Sequence, residues 1–498
     1  MKPKTKTFAN LIIALALLAA GPARAGTGEL RLTVEEAVKR ALTHNLGLQQ
    51  QKLAPALSEA AEQVARATFE PALFTEADLG RSPGQVSSQR AGLDPTSTTS
   101  VGGEVGVRKS FSTGTSVELG LSSQALLGGG GLDPAYQSGV TLSVRQALLN
   151  GVSRSANEVA ITTARLARKE AQQKLNQQAE EVLARTLEAY FDLHRALAQD
   201  AIQALAIRTS ETTLKDTLTL IAAGKVAGSE EISVRYTLQT QRRAKLQTEQ
   251  AVAEARDRLA RLIGLVAPSS LATPTIVTVE TTPSLPGAAE LERLRAAALK
   301  GRGDYLAAQS AIEAQQARVN ASKHKLLPKL DLVGSLFASG LSGTSSSDSA
   351  VDPGYWSSYK MDRLGWSVGL VFELPLGNDR AKGELKSAEL ELRRARLAAE
   401  QVQQTIAEEL NRAWRAVQLA RDQLALTEAA EQVVQSKLRS EEERYKAGKT
   451  TAHILAAVQA EAIQERLGRA QASADLHKAL VNLHATAGDL LDRLHLAV

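Results

Sequence analysis

Two segments of the chain, residues 152–223 and 384–447, run for 72 and 64 positions without a glycine or a proline. Because these two residue types most often end or bend helices, each segment is predicted to be one very long helix. A helix of 72 residues would reach roughly 100 Å. Its apolar residues follow coiled-coil spacing, as in Leu183, Leu187, Tyr190 and Leu197. So narrow a stripe buries a single seam, and we expect such helices to pack side by side rather than around a globular core.

Both long segments end at Ala-Gly-Lys, with Gly224-Lys225 in the first and Gly448-Lys449-Thr450 in the second. Gly-Lys-Thr also ends a phosphate-binding loop, but that loop needs a strand before it and a second glycine where this chain has Glu443. A helix reversal explains both occurrences, because glycine adopts the left-handed conformation that ends helices. Nucleotide binding is therefore not expected.

Self-comparison of the chain predicts a tandem structural duplication. A shift of 224 positions places Gly224 on Gly448, and a shift of 257 positions places Pro71 on Pro328. Each repeat is predicted to contain a first helix of about 35 residues, then strands, then a long helical hairpin. The first repeat is predicted to cover residues 26–265, with strands in 72–148 and a tip near 224. A Pro-rich bridge follows at 266–287. The second repeat is predicted to cover residues 288–498, with strands in 329–375 and a tip near 448.

The predicted strands alternate between apolar and polar residues. Val140, Leu142 and Val144 alternate with polar neighbours in the first half, and Trp366 and Val368 begin a similar series in the second. One apolar face and one polar face suit a strand between lipid and a wet lumen, although an ordinary β-domain would show the same pattern. No apolar run after residue 25 is long enough for a membrane-spanning helix, so any insertion would be as a β-barrel.

The N-terminus has the features of an export signal. Three lysines precede an apolar run, and Ala23-Arg24-Ala25 resembles a signal peptidase site, which predicts a signal peptide over residues 1–25. Its removal takes away four basic residues and changes the formal net charge from +5 to +1. Nucleic-acid binding therefore loses its electrostatic support. The chain contains no cysteine, which excludes disulfide bonds.

Motifs of catalysis are not found in the sequence. The seven histidines have no metal-ligand spacing, and no G-x-S-x-G motif is present. We therefore expect no catalytic, cofactor-binding or metal site, and the chain is not predicted to be an enzyme. A non-conducting coiled-coil protein that tethers the cell envelope remains the alternative to a conduit.

The segment LTVEEAVKRALTHNLGLQ, together with the repeated helix–strand–helix–helix plan over residues 30–490, resembles outer-membrane efflux proteins of the TolC type. This resemblance implies an α+β membrane protein in which a homotrimer forms one β-barrel in outer-membrane lipid, continued by a long α-helical coiled-coil barrel in the periplasm. It also implies the exit duct of a tripartite efflux or type I secretion system. Such a duct passes small molecules or polypeptides from an inner-membrane pump and a periplasmic adaptor to the exterior.

The resemblance assigns functions to the two helix tips. We expect Gly224, Lys225, Gly448, Lys449 and Thr450 to form docking sites for the periplasmic adaptor. A glycine lets a partner backbone approach closely, and a lysine can meet a partner acid.

A periplasmic iris is expected near the first tip. Many members of the family have carboxylates just after the second reversal, where this chain has apolar residues that include Ile454 and Ala457. Glu230 and Glu231 follow the first reversal instead. They are the candidate iris residues, because a ring of like charges attracts cations and resists tight closure.

The predicted number of strands differs from the four per protomer that the family resemblance implies. The first half is 33 residues longer than the second across its β-region, and residues 101–121 alternate around a Ser-Thr-Gly turn at 112–114. That pattern predicts a hairpin and therefore six strands per protomer. The alternative is a hairpin folded outside the bilayer.

Overall fold

The computed structural model describes residues 30–83, 97–128, 135–265, 275–278, 287, 290–343, 358–494 and 496. The predicted signal peptide, residues 1–25, lies outside these ranges, as does most of the predicted bridge at 266–287. None of the helices within the described ranges combines the length and the apolarity that a membrane-crossing helix requires.

The N-terminal part contains a short strand and three helices instead of the single helix predicted from the sequence. These elements are β1 (Leu30–Leu32), α1 (Val34–His44), α2 (Leu46–Gln51) and α3 (Leu53–Ala67). The prediction was wrong because Asn45 has an extended backbone, and its side chain accepts a hydrogen bond from the Leu48 N–H at 3.0 Å. Its amide also donates to the Leu262 carbonyl, which fixes the break against a distant helix.

Six strands form one antiparallel sheet within the described residues, in the order β2-β3-β4-β5-β7-β8. Residues 101–121 lie inside this sheet, so the prediction of six strands in each chain is confirmed. A short parallel pair joins β1 to β6 elsewhere. The strands are β2 (Ala72–Pro83), β3 (Ser97–Ser110), β4 (Thr115–Gly128), β5 (Ala135–Ala147), β6 (Ile276–Thr278), β7 (Lys329–Gly343) and β8 (Arg363–Glu373).

The long helices are close to those predicted. The first, α5, has 64 residues and a length of about 96 Å. The second begins before Gly383, so a glycine sits inside it. The helices that follow β5 are α4 (Arg154–Asn157), α5 (Val159–Ala222), α6 (Glu230–Leu262), α7 (Glu290–Gly301), α8 (Gly303–His324), α9 (Asp379–Lys446), α10 (Ala452–Ala487) and α11 (Leu490–Arg493).

The long helices pack into one layer whose composition changes along its length. Near the sheet, α5 lies between α3 and α8, and α8 packs against α9. Toward the tips, α5 lies between α6 and α10, and α10 packs against α9. Therefore α9 forms one edge of the layer throughout, and α3 followed by α6 forms the other.

The largest core lies where the N-terminal helices α1 and α2 pack on the middle part of α5. Tyr190, one of the predicted seam residues, is fully buried there, and its hydroxyl donates to the Leu32 carbonyl at 2.9 Å. A second core surrounds Leu410 and Leu483, and a small third core surrounds Tyr445. The layer is thus stabilised by separate seams along its length.

Candidate functional site

The two helix tips have the same backbone structure. After α5, the Gly224 N–H donates to the Ile221 carbonyl and the Lys225 N–H donates to the Leu220 carbonyl, both at 2.9 Å. Gly448 and Lys449 repeat both hydrogen bonds after α9. Each glycine has φ +67°, so both helices end in a Schellman motif, which requires the left-handed conformation that glycine adopts without strain.

Both tips are open to contact. A Cβ built on Gly224 or Gly448 would meet no atom within 4 Å. Lys225 and Lys449 are exposed, and Thr450 is half-buried. We call Gly224, Lys225, Gly448, Lys449 and Thr450 the tip surface. The structure brings these residues to one end of the helical layer.

The two candidate iris residues make different contacts within the chain. A carboxylate oxygen of Glu230 accepts a hydrogen bond from the Ala452 N–H at 2.8 Å, which caps the start of α10 in the other half. Glu231 pairs with Arg235 at 2.6 Å on its own helix. The Glu230 cap was not predicted, because nothing in the sequence pattern links residues 222 positions apart.

A polar seam joins the two hairpins close to the tips. The buried Tyr445 hydroxyl lies 2.7 Å from the Thr217 hydroxyl, and the Gln459 amide donates to the Thr213 hydroxyl at 3.1 Å. Val234 and Leu455 pack around the tyrosine ring. These residues were not predicted from the sequence. Threonines recur every four residues at 209, 213 and 217, and this pattern could have indicated a polar seam on α5.

The sheet has one apolar and one polar face. Leu73, Val107, Leu119, Leu142 and Leu336 lie opposite one another across five adjacent strands, and Trp366 continues the row on β8. Leu73 and Trp366 on the two outermost strands are 77% and 75% exposed. The opposite face is mostly polar and carries Glu104 and Glu118, although Phe74 and Phe337 also lie on it. Within the described residues, β2 and β8 each pair on one side only.

The edges of the helical layer also expose apolar residues at regular spacing. Five such residues lie within about 40° of one line along α9; they are Leu390, Leu397, Leu419, Leu426 and Val433. The opposite edge has a similar stripe on α3 and α6, made of Leu53, Leu57, Val64, Ile232, Tyr236 and Leu246. Both edges of the layer therefore present surfaces of the kind that coiled coils bury.

A buried carboxylate in the middle of α5 holds the C-terminal helix. Glu180 accepts hydrogen bonds from the Leu490 N–H at 3.2 Å and the Leu491 N–H at 3.0 Å. Burial raises the pKa of Glu180 to about 7, although the two backbone hydrogen bonds oppose the shift; the charges of Asp489 and Asp492 add to it. Burial also raises the pKa of Glu188, further along the same helix.

Part of the second half of the chain matches a known sequence family. Residues 294–489 match the model of the outer membrane efflux protein family. The resemblance inferred from the sequence is confirmed. No curated protein matches the chain in sequence.

Solved structures with the same fold cover nearly all of the chain. The outer-membrane channel OprN is 18% identical, with a TM-score of 0.65 over 91% of this chain and 89% of its own. The outer membrane protein VceC from Vibrio cholerae is 16% identical, with a TM-score of 0.64 over 91% and 96%. The open Neisseria gonorrhoeae MtrE outer membrane channel is 17% identical, with a TM-score of 0.62 over 91% and 88%. At these identities the likeness establishes the fold, and all three relatives have the outer-membrane location that the sequence predicts.

Proposed function

We propose that this chain is the outer-membrane exit duct of a tripartite efflux or type I secretion system. Three copies close their sheets into one β-barrel and their helical layers into one tunnel that extends across the periplasm. An inner-membrane pump and a periplasmic adaptor deliver small molecules or polypeptides to the tip end, and the cargo leaves through the barrel.

The observation that carries this proposal is a two-faced sheet on the end of a layer of very long helices. An apolar face over six strands is favourable against lipid, and a polar face suits a wet interior. A sheet of six strands is smaller than membrane barrels, which begin at about eight strands, so one chain does not close the wall alone. Relatives with the same fold are outer-membrane channels, which supports the same role here.

The edges of the chain support assembly from identical copies. The apolar stripe on α9 and the stripe on α3 and α6 lie at opposite edges of the layer. The edges of β8 and β2 that have no neighbouring strand among the described residues also lie at opposite edges of the sheet. Packing one edge of a copy against the other edge of the next generates a ring if the rotation closes. A ring of three copies agrees with the family resemblance.

The tip surface is the proposed docking site for the adaptor. It lies at the end of the layer farthest from the sheet, all its residues except Thr450 are exposed, and its glycines leave room for a partner backbone. In a ring of three copies the two tips alternate and form six sites. Glu230 and Glu231 are the proposed iris at the same end. Glu230 is bound to the Ala452 N–H of the other hairpin, whereas Glu231 pairs with Arg235 on its own helix.

Membrane fractionation and bilayer recordings test the proposal together. The protein is expected in the outer-membrane fraction, to require detergent for extraction, and to conduct ions when the purified protein is added to planar bilayers. Cells that lack it are expected to retain the cargo of the neighbouring pump. Extraction without detergent and no conductance would favour the envelope-tethering alternative.

Assembly is tested by charging one edge of the helical layer. Leu426→Glu with Val433→Glu places two charges in the α9 stripe, and we expect the trimer to be lost on a size-exclusion column. Arg439→Glu on the same helix is the control, because Arg439 is exposed and lies away from the stripe. A trimer in both variants would contradict the proposed interface.

A further inference from the structure

The six strands of one chain and the helices below them have similar widths. Four helices lie side by side near the sheet, and at a spacing of about 10 Å they span about 40 Å. Six strands at about 4.8 Å, tilted by about 40°, span about 38 Å. Four strands with the same tilt would span only about 25 Å. The extra hairpin therefore gives the sheet the width of the helical layer.

The β3–β4 hairpin is an integral part of the wall. Each of its strands pairs along its length with a neighbour on both sides. Its turn is held at the junction between sheet and helices, where the Gly114 carbonyl accepts from the Ala147 N–H at 3.0 Å. The Asn157 amide donates to the Ser112 carbonyl at 2.8 Å. The Gly114 backbone also packs so closely on Gly151 that a side chain there would collide with it.

On the polar face of the sheet, several large side chains lie along the surface instead of pointing away from it. At four positions a large side chain lies across a glycine of the neighbouring strand, and a Cβ on that glycine would collide with it. The four pairs are Asp78 over Gly102, Phe74 over Gly106, Glu104 over Gly120 and Phe337 over Gly365. Side chains that lie along the wall occupy less of the interior than side chains that point away from it.

We propose that three copies form a barrel of eighteen strands whose wall is as wide as the tunnel below it, so that the described strands impose no size selection of their own. Eighteen strands give a barrel about 36 Å across at the backbone, and a flat inner wall leaves a lumen of roughly 25 Å. Twelve strands give a barrel about 24 Å across at the backbone and would leave roughly 13 Å. The wall of described strands therefore does not narrow the path of cargo that passes the tunnel, polypeptide included. This inference rests on the proposed duct function.

Engineered disulfides test the strand count in the assembled protein. Thr75, Val105, Leu121 and Val140 form one row across β2, β3, β4 and β5. Thr75→Cys with Val105→Cys is expected to form a disulfide within one chain, since directly opposed residues are within disulfide reach. Thr75→Cys with Val140→Cys is the matched control, about 14 Å apart, and is expected to stay reduced. The chain has no native cysteine to interfere.

The opposite result, a disulfide in the second pair and none in the first, would place β2 beside β5 and overturn the inference. Polymer exclusion gives a second measurement on the unmodified protein in planar bilayers. Neutral polymers about 20 Å across, added on the extracellular side, are expected to enter the barrel and lower the current. If the channel conducts but excludes them, the wide barrel is wrong and the duct function stands. An absence of any conductance would contradict the duct itself.

Discussion

At both tips the long helix ends with the same two backbone hydrogen bonds and a glycine at φ +67°, but the returning helices begin differently. At the first tip, Ser229 precedes α6 with a helical backbone and makes no side-chain cap. At the second tip, Thr451 accepts a hydrogen bond from the Ile454 N–H, and Glu230 of the first half binds the Ala452 N–H. The first tip therefore supplies a cap to the second and receives none in return within the described residues.

In the middle of the layer, too, a side chain of the first half binds a helix of the second half. Glu180 in the first half binds two backbone N–H groups at the start of α11, near the end of the second half. Carboxylates are favourable at helix N-termini, where the backbone N–H groups lack partners within the helix. The two halves have similar backbones but different side-chain contacts. Glu180 and Glu230 in the first half both bind backbone N–H groups at the starts of helices in the second half.

The largest effect that we expect is from Gly448→Leu. A leucine is strained at φ +67° by roughly 1–2 kcal/mol, and its side chain would project from the tip surface. Export should be abolished while trimer assembly and membrane insertion survive, because the tip lies far from the sheet and from most of the seam. Cargo efflux, size-exclusion chromatography and adaptor copurification measure the three properties. Gly224→Leu tests whether the first tip is equally important.

Two further variants separate the backbone turn from the docking surface. Gly468→Leu is the control, since Gly468 also has open space around it but lies inside α10 without a left-handed backbone. Gly448→Asn keeps a residue that tolerates the left-handed conformation and adds a side chain to the surface. Loss of adaptor binding in Gly448→Asn supports docking. Full export in both Gly448 variants would show that the glycine is only a turn.

The second prediction concerns the tyrosine that distinguishes the two tips. Tyr445→Phe removes the hydroxyl bonded to Thr217 and should weaken the contact between the hairpins by about 1 kcal/mol. The expected result is a larger open fraction in bilayer recordings. Ile221 occupies the corresponding position at the first tip, so Ile221→Val is the matched control, with little change expected. Equal effects of the two substitutions would remove Tyr445 as the source of the asymmetry.

The third prediction concerns the two carboxylates of the first tip. The double variant Glu230→Gln, Glu231→Gln should lose cation preference in planar bilayers, because the proposed ring loses its charge. Glu231→Gln alone should produce most of that loss, since Glu230 is already bound to the Ala452 N–H. Glu230→Gln alone should weaken the cap of α10 by about 0.3–1 kcal/mol with a smaller change in selectivity. Unchanged reversal potentials in the double variant would identify both as ordinary surface acids.

The order of elements was predictable because glycine and proline mark the ends of the long helices, and a period of two marks the strands. The six-strand sheet also followed from the alternation in residues 101–121. The break at Asn45 has a local signal that was missed, because asparagine is a common helix N-cap and here binds the Leu48 N–H three residues later. Its second hydrogen bond, to the Leu262 carbonyl, lies far away in the sequence and could not be predicted. The Glu230 and Glu180 caps were missed for the same reason. Local pattern predicts where a helix ends, but not which distant side chain binds its free N–H groups.

The smallest predicted effect is a pH dependence of the C-terminal helix. The pKa of Glu180 is raised by burial to about 7 in the folded chain, above its ordinary value of 4.5. The folded chain therefore binds this proton more tightly than the unfolded chain does between those two values. The stabilisation from the protonated carboxyl is complete below pH 4.5 and is lost as the pH rises through 7.

We therefore expect the amides of residues 490–494 to lose hydrogen-exchange protection between pH 6 and pH 8, after correction for the intrinsic exchange rate. Glu180→Gln removes the titration and should flatten this dependence, while its amide oxygen still accepts a backbone hydrogen bond. Glu181→Gln is the control, because the neighbouring Glu181 pairs with Arg185 rather than with the C-terminal helix. The same slope in Glu180→Gln as in the unmodified protein would assign the pH dependence to another group, with Asp489 and Asp492 the next to test.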